Sequence, residues 1–185
     1  LAPVVHTVHG PVTEPLATAI QSVGEMSLVG ISHSQLEPAP WLPWVGVVPN
    51  AVDVDSLQFV PRQDKDSYLL VLARICPDKG QHHAIEVAAR AGMRLVLAGK
   101  VDPGNEVYFE KQIAPHLDGR RVTWQPNVSG ADKARLLTRA AALLAPITWP
   151  EPFGLCMVEA MASGTPTIAF RHGAAPELID HGSTG

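Results

Sequence analysis

Two glutamates, Glu151 and Glu159, flank the start of a predicted helix in the stretch W-P-E-P-F-G-L-C-M-V-E-A-M-A-S-G, with seven residues between them. Prolines before it and a glycine after it predict a helix over 155–162. The first N–H groups have no intrahelical partner and lie at the positive end of the helix dipole, where they can bind a phosphate. A carboxylate on each side can accept hydrogen bonds from hydroxyl groups. The N–H groups concerned are those of Gly154, Leu155 and Cys156.

This pattern has two interpretations. Anion donors between two hydroxyl-binding carboxylates suit a sugar nucleotide, which offers a glycosyl group, a diphosphate and a ribose. The alternative is a structural helix whose first glutamate interacts with the helix dipole and whose second lies on the solvated face. Only residues outside this stretch can distinguish a sugar-nucleotide site from a structural helix.

A second candidate is the loop A-R-I-C-P-D-K-G-Q, which follows the apolar segment 68–73. Its two cations, Arg74 and Lys79, stand five residues apart, directly before a predicted helix over 81–91. They can neutralise a diphosphate, the arginine as a planar fork and the lysine as a point charge. Alone, the pair is typical of a solvated loop; together with the stretch around Glu151 it favours a ligand site.

From Tyr68 onward, apolar strands alternate with amphipathic helices. This predicts an α/β fold with a Rossmann-like parallel sheet and helices on both faces. The predicted strands are 68–73, 94–98, 122–125, 142–146 and 165–170; the predicted helices are 81–91, 106–113, 129–140, 155–162 and one that starts at 175. A Ser129–Asp132 pair resembles a capping box. Ligands of such sheets bind at the carboxyl ends of the strands, and both candidate loops follow strands.

The segment before Tyr68 lacks this regular alternation. It has short predicted strands at 4–7, 27–32 and 45–48, and a helix at 16–23 that Thr13 opens. The polar segment 63–67 is the best internal boundary. We therefore expect 1–62 to be the last part of an N-terminal domain with its linker, and 63–185 to be a second domain that is truncated at its C-terminal end.

Composition limits the function classes. The net charge of −4 argues against a general nucleic-acid surface, so a phosphate site has to be local. Two distant cysteines indicate a reducing compartment, and hence a cytoplasmic protein, without a disulfide framework. No apolar run approaches the roughly 18 residues of a membrane span, so we expect no transmembrane segment. The first residues resemble a strand rather than a signal peptide.

Four segments together resemble the retaining nucleotide-sugar glycosyltransferases of family 4, which have the two-domain GT-B architecture. They are V-P-N-A-V-D, L-A-R-I-C-P-D-K-G, E-P-F-G-L-C-M-V-E-A-M-A-S-G-T-P-T-I-A and G-A-A-P-E-L-I-D-H-G-S-T-G. They occur in the family's order and cover the chain from about Val48 to its end. The resemblance therefore concerns mainly the C-terminal, donor-binding half, with a remnant of the N-terminal Rossmann-like domain before it.

The resemblance implies a role for each matching charged residue. Arg74 and Lys79 would hold the donor diphosphate, and Lys79 would also stabilise charge on the leaving group. Glu151 would contact the donor sugar near the reacting face, and Glu159 would hold the ribose hydroxyls. His9, in H-T-V-H-G, resembles the histidine that the first domain places near the transferred sugar. The expected catalytic set is therefore Glu151, Lys79, Arg74 and His9.

Backbone groups complete the implied donor site. Phe153, Gly154, Leu155 and Cys156 would present N–H groups to the sugar and the phosphates, and Gly173 would line the donor site as well. No metal or other cofactor is expected, although Asp53-Val54-Asp55 imitates a metal-binding D-x-D motif. The implied partners are a nucleoside diphosphate sugar and an acceptor of unknown class: a polysaccharide, a lipid or a small molecule.

The function implied by the resemblance is transfer of a sugar to an acceptor hydroxyl with retention of the anomeric configuration. Two alternatives stay open. The chain could be an isolated half that binds a nucleotide sugar without turnover, or part of another GT-B enzyme such as a sugar-nucleotide epimerase.

Overall fold

The computed structural model describes residues 4–185, and the first three residues of the predicted 1–62 segment lie outside this range. Two parallel sheets follow one another along the described chain, one of three strands and one of five. The boundary between residues 62 and 63 remains a prediction.

The first sheet contains Val5–Thr7 (β1), Ser27–Gly30 (β2) and Trp44–Val47 (β3), in the order β1-β2-β3. Helix α1 (Glu14–Val23) follows β1, and its N-cap Thr13 accepts a hydrogen bond from the N–H of Leu16 at 3.5 Å, as the sequence predicts. A short helix after β2, α2 (His33–Leu36), was not predicted, because four residues are too few for helical periodicity to show.

The second sheet has the strand order β6-β5-β4-β7-β8, and every pair is parallel. Its strands are Tyr68–Leu72 (β4), Arg94–Ala98 (β5), Val122–Gln125 (β6), Ala142–Ala145 (β7) and Thr167–Ala169 (β8). Its helices are Gln81–Ala91 (α3), Glu106–Tyr108 (α4), Gly130–Arg139 (α5), Leu155–Ala162 (α6) and Ala175–Leu178 (α7). The strand order reverses between β4 and β7, which opens a crevice at the carboxyl ends of these two strands.

Both faces of this sheet are covered. Leu70 and Leu143 pack in a cluster with α5 and α6, whereas their strand neighbours Leu69 and Leu144 pack in a second cluster with α3. Successive residues of a strand point to opposite faces, so strands that are apolar throughout have to be buried on both sides. The predicted α/β fold with helices on both faces is confirmed.

Two local predictions are wrong in detail. The predicted helix over 106–113 is α4 followed by a π-helical turn, Phe109–Ile113, and a 3-10 turn, Ala114–His116. Pro115 has no N–H to continue an α-helical ladder there. Ser129 occupies the N-cap of α5, but its side chain makes no capping hydrogen bond, and Asp132 instead contacts Arg135 at 3.4 Å.

The segment that joins the two sheets is anchored on the second one. The ammonium of Lys65 donates to the carbonyl of Thr138 at 2.7 Å and to the hydroxyl of Thr165 at 2.8 Å. Burial lowers the pKa of Lys65. Asp66 adds a backbone bond and an ion pair to Arg139, both at 2.7 Å. The polar segment 63–67, which was expected to be the internal boundary, is therefore held in place.

Gly80 and Gly92, at the two ends of α3, have similar backbone angles but very different surroundings. Gly80 has φ +68° and Gly92 has φ +64°, but a Cβ on Gly80 would lie 2.0 Å from the Pro146 carbonyl oxygen, whereas a Cβ on Gly92 meets nothing within 4 Å. We expect Gly92→Ala to lower the free energy of unfolding by about 1–2 kcal/mol, because an alanine is disfavoured in the left-handed backbone conformation. Gly80→Ala should lower the free energy of unfolding by the same amount and by about 1–3 kcal/mol more, because its side chain would overpack the loop after β7.

Denaturant unfolding of both variants measures the difference. Equal losses would contradict the close approach of the α3 N-terminus to the loop after β7.

Candidate functional site

The loops that follow β4 and β7 are joined to each other at the crevice. The N–H of Thr148 donates to the carbonyl of Asp78 at 2.9 Å, and Gly80 lies against the backbone of Pro146. These contacts hold the 3-10 turn Pro77–Lys79 beside the segment that leads into α6. Side chains from both loops can therefore act on one ligand.

Lys79 and Glu151 form an ion pair across this junction. Their side chains are only 14% and 15% exposed. The Lys79 ammonium also lies 5.1 Å from the centroid of the Trp149 ring, which is within cation–π range. The structure thus brings two residues of the expected catalytic set into direct contact, although 72 positions separate them in the chain.

The backbone of Glu151 is fixed by the loop before α7. The N–H of Ala174 donates to the Glu151 carbonyl at 2.9 Å. Gly173 has φ +55°, and a Cβ there would lie 2.3 Å from the Glu151 nitrogen. Any other residue at 173 would push this loop away. Gly173 therefore lies at the site, in contact with the backbone of Glu151.

The N-terminus of α6 lies in the same region, since a Cβ on Gly154 would be 3.5 Å from Cγ of Glu151. No side chain caps this helix within residues 4–185, and its first backbone bond runs from the Met157 N–H to the Gly154 carbonyl at 2.9 Å. Phe153 is buried and Leu155 is exposed. The uncapped N–H groups give the site a partial positive charge.

Cys156 stands in the first turn of α6 but is not a nucleophile. Burial raises the pKa of its thiol to about 11. The thiol is therefore protonated at neutral pH, and only the thiolate is reactive. Of the side chain and the backbone at this position, only the backbone N–H is suited to bind an anion.

Arg74 lies beside the ion pair rather than within it. Its guanidinium is 63% exposed and donates to Asp102, which raises the pKa of Arg74. Arg74, Lys79, Asp102 and Trp149 line one cavity of about 370 Å³. Asp102 was not predicted, although it follows β5 at the ligand edge of the sheet and could have been found by that rule.

Glu159 faces a different partner. Its carboxylate accepts a hydrogen bond from the Lys133 ammonium of α5 at 2.6 Å, and its side chain is 18% exposed. A cavity of about 420 Å³, lined by both side chains and by Ser56, adjoins this pair. Lys133 was not predicted, because no sequence pattern shows that α5 meets α6 at this point.

His9 lies after β1 and is exposed. No hydrogen bond or ion pair between residues 4 and 185 joins it to the other candidates. The amide of Gln35 donates to the carbonyls on both sides of His9, those of Val8 and Gly10. The structure therefore brings together Lys79, Glu151, Gly154 and Gly173, places Arg74 next to them, and leaves His9 apart.

The described range holds no metal cluster and no membrane-spanning helix. No three His, Cys, Asp or Glu side chains among residues 4–185 are grouped to hold a metal ion. Asp53 of the D-x-D sequence instead accepts the N–H of Asp55 at 3.1 Å and so caps a turn. No helix in this part of the chain is long and apolar enough to cross a membrane.

Comparison with known proteins identifies relatives for most of the chain. The model of the family described as glycosyl transferases group 1 matches residues 55–185. A glycogen synthase of Mycobacterium tuberculosis is 29% identical over 153 residues, 79% of this chain and 36% of that protein. An MMP alpha-(1->4)-mannosyltransferase of Mycolicibacterium hassiacum is 34% identical over 139 residues, 72% of this chain and 33% of that protein. The chain thus spans about a third of the length of these curated relatives.

Solved structures share the fold. The crystal structure of Anabaena Alr3699/HepE with UDP and glucose superposes with a TM-score of 0.84 at 23% identity, over 99% of this chain and 57% of that one. AviGT4, a glycosyltransferase involved in avilamycin A biosynthesis, superposes with a TM-score of 0.70 at 27% identity, over 83% of this chain and 50% of that one.

The raised pKa of Cys156 gives a prediction that needs no substrate. With a pKa of about 11, roughly one thiol in a thousand is ionised at pH 8. In a Cys76→Ser variant we expect iodoacetamide at pH 8 to leave the native protein almost unmodified and to alkylate it rapidly in urea, as mass spectrometry would show. Rapid alkylation of the native protein would contradict the raised pKa of this thiol.

Proposed function

The chain belongs to the group 1 glycosyltransferases, and from this membership we propose that the protein transfers a glycosyl group from a nucleoside diphosphate sugar to an acceptor hydroxyl, with retention of the anomeric configuration. One observation carries the proposal: the Lys79–Glu151 pair and the uncapped α6 N-terminus meet at the reversal point of the sheet. Cationic and backbone donors suited to a diphosphate thus lie beside a carboxylate suited to a sugar.

In the proposed complex, Lys79 serves two partners. A lysine ammonium has three N–H donors, and the bond to Glu151 uses one of them. The others can reach phosphate oxygens, so the diphosphate binds without breaking the ion pair. As the bond to the sugar breaks, negative charge grows on the leaving diphosphate, and fixed donors stabilise it most in a site that excludes water. Arg74 and the α6 N–H groups add to this stabilisation.

The proposed sugar and ribose contacts involve the two glutamates. Glu151, fixed by the Gly173–Ala174 backbone, accepts hydrogen bonds from hydroxyls of the donor sugar. Glu159 accepts hydrogen bonds from the ribose hydroxyls while Lys133 holds its carboxylate in place. His9 is proposed to act on the transferred sugar from the other sheet. We assign no metal, because Lys79, Arg74 and the helix N-terminus supply the positive charge that a diphosphate needs.

The nucleotide is the part of the donor to test first. Anabaena Alr3699/HepE, which shares the fold, was crystallised with UDP-glucose. Both cysteines of this chain are free, in agreement with the cytoplasmic location that we propose. A thermal-shift panel of UDP, GDP and ADP sugars would identify the donor, and NMR of the product's anomeric proton would show whether configuration is retained.

We expect Lys79→Ala in the complete protein to reduce the transfer rate by about 10²–10³-fold, the loss typical of removing one transition-state donor. Lys111→Ala is the matched control, because Lys111 is an exposed lysine remote from the crevice loops in sequence. Rates are compared at saturating donor, after the melting temperature shows that each variant is folded. A Lys79→Ala rate within threefold of the wild type would refute the role of Lys79.

We expect Glu159→Gln to weaken binding of the ribonucleoside diphosphate by about 10- to 100-fold, because hydrogen bonds to a charged acceptor are the strong ones. The matched ligand is the 2′,3′-dideoxy nucleotide, which lacks the hydroxyls concerned. Calorimetry should show that the wild type prefers the ribonucleotide and that the variant does not. If the variant kept the wild-type preference, Glu159 would not contact the ribose.

A further inference from the structure

A single carboxylate joins the two sheets close to the site. Glu177 of α7 accepts hydrogen bonds from the backbone N–H groups of His33 at 2.8 Å and Ser34 at 2.7 Å, one on each oxygen. These partners are 144 and 143 positions away in the chain. Because both oxygens are used, the contact fixes the direction of α2 as well as its distance from α7.

The first turn of α2 depends on this contact. The N–H of Gln35 is bonded to the Ser32 hydroxyl at 3.1 Å, and the two preceding N–H groups go to Glu177. Without the carboxylate, those two donors would lose their protein acceptor. A negative charge at this end also interacts favourably with the helix dipole.

From α2 the contacts continue to the segment of His9. Gln35 is buried, and its Oε1 accepts the Ile31 N–H at 2.8 Å. Its Nε2 donates to the Val8 carbonyl at 2.8 Å and to the Gly10 carbonyl at 2.7 Å. Both donors and one acceptor site of this amide are directed to backbone groups, so the position of α2 determines the position of the residues around His9.

On the other side, α7 is bonded to the site itself. The Glu177 N–H donates to the Ala174 carbonyl at 2.9 Å, and the Ala174 N–H donates to the Glu151 carbonyl at 2.9 Å. A continuous set of hydrogen bonds and short chain segments therefore runs from Glu151 through Glu177 and α2 to His9.

We propose that Glu177 is a positioning residue that sets the placement of His9 relative to Glu151, and so of the acceptor side relative to the bound donor. Its catalytic consequence rests on the proposed glycosyl transfer. Within residues 4–185 the Glu177 side chain makes no hydrogen bond or ion pair to Lys79, Glu151 or the α6 N-terminus, so it acts on the reaction through α2 and Gln35 and leaves the nucleotide contacts intact.

The test uses Glu177→Ala and Glu177→Gln in the complete protein, with Glu110→Ala, an exposed glutamate of the π-helical turn, as control. Misplacing a catalytic group by about 1 Å can cost on the order of 10²-fold in rate. We expect Glu177→Ala to lower kcat by about 10- to 100-fold, with the donor KM and the nucleoside diphosphate Kd within twofold of the wild type. Glu177→Gln, which retains one acceptor oxygen, should lose less.

An unchanged kcat in Glu177→Ala would overturn the proposal. A Kd that rises in parallel with the fall in kcat would also overturn it, because Glu177 would then support the fold of the donor site in general.

Amide hydrogen exchange separates this proposal from the proposed function. In Glu177→Ala we expect at least tenfold faster exchange at His33 and Ser34, and faster exchange at Val8, whose N–H donates to the Val29 carbonyl at 2.9 Å. If the wild type transfers no sugar, the proposed function fails, but this exchange pattern still supports the bridge. Unchanged exchange at Val8 would overturn the bridge even in an active enzyme.

Discussion

The site depends on a largely buried ion pair between Lys79 and Glu151 at the junction of two loops. Charges removed from water are costly unless each has a partner in good geometry, so neither residue can be placed without the other. The surrounding backbone provides that geometry. The Thr148–Asp78 bond joins the loops, and the close contacts of Gly80 and Gly173 bring the backbone nearer than any side chain would permit.

The same arrangement would keep the acids of this site from repelling the proposed diphosphate. Glu151 binds Lys79, which belongs to the 3-10 turn after β4. Glu159 binds Lys133, which belongs to α5. The net field at the crevice is then set by the uncapped α6 N-terminus, because Arg74 is likewise paired, with Asp102. A chain with a net charge of −4 can in this way present a local anion site.

Local patterns in the sequence were sufficient for most of the fold and for part of the site. The apolar strands β4 to β8 and the glycine-terminated helices α3 and α6 could be predicted, because burial and capping are encoded within a few neighbouring residues. Lys79 and Glu151 could be proposed because they follow strands at the ligand edge. Lys133, Gln35 and Glu177 could not, since their contacts join elements whose relative placement has no local signal. Ser129 shows the reverse case, a favourable local pattern whose hydrogen bond does not form.

The central claim is that the α6 N-terminus and Lys79 together bind a diphosphate. Two-dimensional ¹H–¹⁵N NMR of the protein during titration with UDP, GDP and ADP tests it most directly. With the nucleotide that binds, we expect the largest shifts at the amides of Gly154, Leu155 and Cys156 and in the turn Pro77–Lys79, and these shifts should saturate together. Saturable shifts confined to other regions, with these amides unmoved, would contradict the account.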